Sequence, residues 1–179
     1  MKIAVYLGST PGNDPIFEKT AASVGRWIGE NGHTLVYGGA GVGTMKTLAQ
    51  AAHESGAYVI GIMPEFMVEA GKNADFLDEL HITKTMAERR TKMIALSDAY
   101  MALPGGPGTL DEISEVISDR KLGLLDGKVV LFSVNGYYDA LEDMFTHMTK
   151  SGFYPSEHAE KVKFIRTIAE LESIFEDMA

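Results

Sequence analysis

The sequence predicts a doubly wound α/β fold, a parallel sheet with helices on both faces. Three observations carry that reading. Short, continuous apolar runs rich in β-favouring residues recur along the chain, as strands buried on both faces require. Segments with an apolar stripe at helical spacing lie between them. The separations are of helix length, which parallel pairing needs and a hairpin does not.

Ile3 to Leu7 is the first run, ended by Gly8-Ser9-Thr10. A helix starts near Asp14-Pro15, with Asp as its cap and Pro in the first turn. Phe17, Ala21, Val24 and Ile28 form its inner stripe, and Gly32 ends it. Thr34 to Tyr37 is the second strand, running into a glycine-rich loop from Gly38 to Gly43. Met45, Leu48, Ala49 and Ala52 line the next helix, closed by Gly56, and Tyr58 to Met63 is the third strand. Periodicity is lost between Pro64 and Leu80, which predicts a surface loop. A short strand is expected at Ile82 to Thr85, a helix from about Ala87 to Leu96, and a strand at Ala99 to Leu103 entering a second glycine-rich loop. Leu110, Ile113, Val116 and Ile117 mark the following helix, Val129 to Val134 a strand, Tyr138 to Met148 a helix and Ile168 to Phe175 a last helix. With no repeat, low-complexity tract or linker, residues 1–179 read as a single Rossmann-like domain.

Composition narrows the function classes. A formal net charge of −9 argues against a nucleic-acid or anionic-membrane surface, which needs a basic face. The absence of cysteine removes disulfides, thiolate chemistry and Cys-based metal sites. His33, His53, His81, His147 and His158 show no paired metal spacing, so no metal is expected. No apolar stretch approaches a membrane span, and Met1 leads straight into a strand-like run rather than a secretion signal. The expected compartment is the cytoplasm.

Ligands of such sheets bind beyond the carboxyl ends of the strands. Three strand ends carry unusual residues: Gly8-Ser9-Thr10, the GGAGVGTM run from Gly38 to Met45, and PGGPGTLDE from Pro104 to Glu112. The last two open helices, where small residues admit an anion to backbone N–H groups and the helix dipole favours it. Tight strand-to-helix turns are the competing explanation; two long loops on one sheet edge favour phosphate. Neither has the Gly-Lys-Ser/Thr ending of a P-loop, and the first strand's exit does not match the dinucleotide fingerprint. Thr109-Leu110-Asp111-Glu112 has the form of a capping box, so Glu112 reads either as a helix cap or as a site carboxylate kept ionised in a first helical turn. Arg89, Arg90 and Lys92 start a helix where cations are disfavoured unless something negative is near, and Asp75, Asp78 and Glu79 are candidate partners. A solvated basic face explains the run equally well. Thr85-Met86-Ala87-Glu88 forms a second capping-box pattern.

Together these stretches resemble a known family. PGGPGTLDE, preceded by Glu88-Arg89-Arg90, resembles the PGGxGTxxE signature of the LOG (Lonely Guy) family of cytokinin riboside 5′-monophosphate phosphoribohydrolases. The likeness extends to Gly8-Ser9, YGGAGVGTM, VIGIMPE and Asn135-Gly136-Tyr137-Tyr138. It implies that Arg89 and Glu112 are catalytic. It places Gly8, Ser9, Gly39, Gly41, Gly43, Thr44, Met45, Glu69, Arg90, Gly105, Gly106, Pro107, Gly108, Thr109, Leu110, Asp111 and Ser118 at the nucleotide, with Gly106 to Thr109 on its phosphate. Departures touch the base end. Ala87 stands where relatives carry His, Arg90 replaces the family lysine, and Ser118-Asp119-Arg120-Lys121 replaces Thr-Trp-x-Gln. The implied reaction is hydrolysis of the base–ribose bond of AMP or an N6-modified AMP, without metal or organic cofactor, in a homodimer or larger assembly. The partner is a small-molecule nucleotide. Similar folds with PGGxGT loops include molybdenum cofactor carriers, the competing class. Relatives have also been labelled lysine decarboxylases, but nothing in the sequence marks a Schiff-base lysine.

Overall fold

Alternation along the first strand builds both faces of the sheet. In β1 (Lys2–Tyr6), Ile3 and Val5 join one core and Ala4 and Tyr6 the other, all four buried. An apolar run without polar interruption is therefore what a central strand demands. The computed structural model describes residues 1–176. Its seven strands are β1, β2 (Thr34–Tyr37), β3 (Tyr58–Pro64), β4 (Glu79–Thr83), β5 (Ala99–Ala102), β6 (Lys128–Phe132) and β7 (Val162–Ile165). They form one parallel sheet in the order β4-β3-β2-β1-β5-β6-β7, the predicted doubly wound architecture.

The helices divide between the faces. Residues of α1 (Pro15–Glu30), α2 (Gly43–Glu54) and α8 (Ile168–Glu176) pack with Ile3, Val5, Leu35 and Val59. Residues of α4 (Met86–Ala95), α5 (Pro107–Lys121) and α6 (Asp139–Lys150) pack with Ala4, Tyr6, Val36 and Ile60. Asp14 caps α1 as expected, its Oδ1 accepting from the Ile16 N–H at 2.9 Å. No helix among the described residues is long and apolar enough to cross a membrane.

Some elements depart from the expectation. The segment from Pro64 to Leu80, where lost periodicity predicts a surface loop, contains a short helix, α3 (Glu65–Glu69), and the start of β4. That strand lies at Glu79–Thr83 rather than Ile82–Thr85, because its register is set by pairing with β3, Ile60 opposite Glu79. β7 and the one-turn α7 (Ser156–Ala159) were not predicted. β6 ends at Phe132, two residues short of the predicted end, and a 3-10 turn follows at Val134–Gly136.

Candidate functional site

The strand order reverses between β1 and β5, so the chain exits there diverge and open a crevice at the carboxyl ends. The Gly8 N–H donates to the Pro104 carbonyl at 3.2 Å and ties the two exits together. A cleft of about 220 Å³ lies over this junction, lined by Gly8, Thr10, Pro11, Gly12, Phe17, Thr44, Pro104, Gly105, Gly106 and Tyr137. A larger groove of about 370 Å³ between α6, α7 and β7 holds none of the predicted site residues.

Helix starts distinguish this edge. α1 is capped by Asp14, and α4 by Thr85, whose hydroxyl accepts from the Glu88 N–H at 3.1 Å. Glu88 in turn reaches back to the Lys84 N–H at 2.8 Å, completing the expected box one residue early. The two glycine-loop helices, α2 and α5, have no side-chain cap; Val42 and Gly106 occupy their cap positions. Their first N–H groups are thus left for a ligand or solvent. Gly43 has φ +55°, and any β-carbon there would collide with the Ser9 carbonyl, so only glycine fits where the loop meets the β1 exit. Thr44 turns its hydroxyl to the Gly8 carbonyl at 2.7 Å.

Thr109 is not the cap of α5. The helix begins at Pro107, which makes Thr109 its third residue and Glu112 its sixth. Both the capping-box reading of Glu112 and its assignment to a first turn are therefore corrected. Glu112 is buried, as is Arg89 on α4, with relative exposures of 7% and 5%. Arg89 Nη1 donates to Glu112 Oε1, and Arg89 Nε donates to the Ile62 carbonyl at 3.0 Å. The Arg89 guanidinium occupies the space a β-carbon on Gly38 would take, so this glycine makes the seat for the arginine. Burial pushes the Glu112 carboxyl above the ordinary glutamate value, against the opposing pull of Arg89. The expectation that a helix start keeps it readily ionised is corrected by this burial; Arg89 is what favours the charge. Tyr6 lies in the same surroundings, its phenol raised by burial and then by the field of Glu112.

The neighbouring Arg90 points outward, its Nε donating to Glu115 at 2.7 Å and its Nη1 pairing with Asp111 at 3.2 Å. The upstream acids do not serve as partners of Arg89 or Arg90. Asp78 accepts from the Val59 N–H and lies 3.7 Å from His53, and Glu79 pairs with His81.

Of the other predicted residues, Gly8, Ser9, Gly43, Thr44, Gly105, Gly106, Pro107 and Thr109 gather at the junction of β1 and β5 with the starts of α2 and α5. Gly108 and Leu110 lie on the exposed first turns of α5. Met45 packs beside Gly38. Gly39 and Gly41 pair with residues 72–74 and do not line the cleft: Gly41 N–H donates to the Lys72 carbonyl and Ala74 N–H to the Gly39 carbonyl, each at 2.9 Å. Glu69 ends α3 and is exposed. Ser118 lies in the last turns of α5, beside a separate hollow with Phe145, Phe153 and Tyr154. Neither lines the cleft. Phe17, Tyr6 and Glu115 escaped the sequence reading. Phe17 belongs to the helix stripe and Tyr6 to the strand run, and no motif marks Glu115. Tyr137 was part of the family resemblance but carried no role.

The profile of a family described as "possible lysine decarboxylase" matches residues 45–175. The residues present do not fit the pyridoxal phosphate that such a reaction uses. Among the described residues no lysine is buried, and the buried cation of the site, Arg89, supplies no amine for a Schiff base. The chain is 34% identical over 178 residues to a cytokinin riboside 5′-monophosphate phosphoribohydrolase of Arabidopsis thaliana, covering 99% of this chain and 83% of the relative. It is 40% identical over 152 residues to the enzyme of that name from Rhodococcoides fascians, covering 84% and 77%. The molybdenum cofactor carrier protein of Chlamydomonas reinhardtii superposes with a TM-score of 0.76 over 98% of this chain and 96% of that one, at 21% identity, a likeness of fold alone. By the profile match and these relatives, the chain belongs to the LOG family of phosphoribohydrolases, hydrolases that act on N-glycosyl bonds.

Proposed function

We propose that this protein hydrolyses the N-glycosidic bond of a nucleoside 5′-monophosphate, AMP or an N6-modified AMP, releasing free base and ribose 5-phosphate. The observation that carries the reading is the buried Arg89–Glu112 pair, its glutamate five residues behind the uncapped start of α5. From Pro107 to Glu112 the helix rises by about 7.5 Å, the span the ribose would bridge between an anion at the helix start and the carboxylate.

Breaking the bond builds oxocarbenium character on the ribose, and a carboxylate held nearby lowers that barrier electrostatically. Arg89 engages Glu112 Oε1; Oε2 carries no hydrogen bond from another described residue and is the oxygen assigned to the sugar cation or to the attacking water. Arg89, anchored by the Ile62 carbonyl, favours the charged form of Glu112 against its burial and orients it. The 5′-phosphate is assigned to the starts of α2 and α5, with Gly8, Ser9, Gly43, Thr44 and Gly105 to Thr109 around it. Fixing the phosphate positions the sugar before reaction. Arg90, with Asp111 and Glu115, forms an outer layer. Glu69 and Ser118 are assigned to the base end in an assembly of two or more copies, for which exposed Leu122, Leu124 and Phe153 offer apolar surface.

The test is release of free base from a panel of nucleoside monophosphates, with unphosphorylated nucleosides as controls. Glu112→Gln or Arg89→Ala is expected to abolish it. Full activity in either variant overturns the role assignment. Purified protein carrying a pterin without nucleotide turnover would favour a carrier instead.

A further inference from the structure

Where β5 runs out into the glycine loop, three consecutive carbonyls point to donors. The Tyr138 hydroxyl donates to Leu103 O at 2.8 Å, the Gly8 N–H to Pro104 O at 3.2 Å, and the Tyr137 hydroxyl to Gly105 O at 2.6 Å. The two tyrosines are adjacent in the chain and meet edge to face, ring centroids 5.0 Å apart. Tyr138 is buried, but Tyr137 is 44% exposed and forms a wall of the cleft, with Phe17 edge-on at 5.8 Å.

The turn that delivers Tyr137 is held in an uncommon conformation. Asn135, with φ +55°, is the one non-glycine residue at positive φ among the described residues. Its side chain donates to Asp14 Oδ2 at 3.2 Å, while Asp14 Oδ1 caps α1. A turn that leaves the favoured backbone regions persists because its surroundings hold it there. Here they hold Tyr137 over the loop.

Adjacent glycines such as Gly105 and Gly106 have more backbone freedom than any pair of residues with side chains. The peptide joining them leads directly into the uncapped start of α5. A free carbonyl lining the cleft would repel an anion, and a free Gly-Gly peptide could rotate to place it there. A phenol O–H on Gly105 O removes both effects: it covers the negative end of the peptide dipole and fixes the plane.

We propose that Tyr137 is a positioning residue for the phosphate end of the site, acting through the Gly105 carbonyl. The inference rests on the cleft being the seat of the 5′-phosphate. Tyr137→Phe removes the hydroxyl and keeps the ring against Phe17 and Tyr138. It is expected to raise KM for the nucleoside monophosphate about fivefold, the worth of one hydrogen bond, with little change in kcat. Binding of inorganic phosphate and of ribose 5-phosphate, read by calorimetry, should weaken by the same factor. The thermal midpoint should hold, and Tyr137→Ala should weaken both ligands further. Unchanged phosphate affinity in Tyr137→Phe overturns the proposal, as does a wild-type protein that binds neither anion. Wild-type protein that binds ribose 5-phosphate but turns over no monophosphate sinks the proposed reaction alone, and the calorimetric comparison still decides the role of Tyr137.

Discussion

Of the three ion pairs that join α4 to α5, Arg90 with Asp111 being one, two are built from adjacent arginines and from glutamates three residues apart. The inner pair, Arg89 with Glu112, has both side chains less than a tenth exposed; the outer, Arg90 with Glu115, is open to solvent at 26% and 35%. Their chemistry is the same and their surroundings are not. In the outer pair water screens both charges, so the contact adds little. In the inner pair each charge is tolerable only because the other is present, and removing one leaves the other buried and unpaired. A fold has no need of such a pair in its interior, because apolar residues of similar size usually serve stability as well. Its position at the carboxyl edge of the sheet, behind an uncapped helix, is where that cost has a use.

The comparison can be broken most directly at the inner pair. Glu112→Gln should lower release of base by about 100-fold or more, the scale of losing a group aimed at developing charge. Arg89→Ala should in addition destabilise the protein by about 3–5 kcal/mol, read by denaturant unfolding. A loss below 1 kcal/mol in Arg89→Ala would show that the pair is not shielded from water.

A pH profile sharpens the same point. Burial raises the Glu112 carboxyl above its ordinary value of 4.5, so the acid limb of kcat/KM should fall above that value. An acid limb at or below it would contradict the burial. The sign for stability follows. Between the unfolded and the raised folded pKa, the native state binds more protons than the unfolded chain. The contribution of Glu112 is therefore fully present below the unfolded pKa and is lost as pH rises through the folded one. Arg89→Ala removes the opposing pull and should move that loss to higher pH.

Smaller effects belong to the rim. Gly43→Ala should cost about 1–2 kcal/mol from its positive φ alone, with weaker phosphate binding because the β1 exit must move away. Smallest is Glu115→Gln in the outer pair, less than about 1 kcal/mol by thermal or denaturant unfolding. A loss as large as that of Arg89→Ala would erase the distinction between the two pairs.

Legibility followed burial. The central strands β1, β2, β3 and β5 read directly from continuous apolar runs, since both of their faces are covered. The strand placed wrongly, β4, and the strand missed, β7, are the two edges of the sheet. Edge strands carry polar residues such as Glu79, His81 and Lys163, which blur the pattern that marks a strand. The caps at Asp14 and Thr85 were legible because capping is local chemistry. For the same reason the box at Thr109 misled: it has the right residues at the right spacing, but Pro107 starts the helix two positions earlier.

By itself the sequence determined the alternation of strands and helices through the centre of the sheet, the two glycine loops at strand ends and the family to which the chain belongs. Apolar period, turn chemistry and short motifs are properties of neighbouring residues, and they survive without coordinates. Only the tertiary structure decided that Arg89 meets Glu112, 23 residues away, rather than a nearer acid. Only it showed that Ile62 and Gly38 frame the arginine and that Tyr137 reaches the Gly105 carbonyl. Those contacts join β2, β3, α4, α5 and the turn after β6, and their partners are chosen by how the sheet winds. Burial then sets what each charge is worth, and burial belongs to the folded whole.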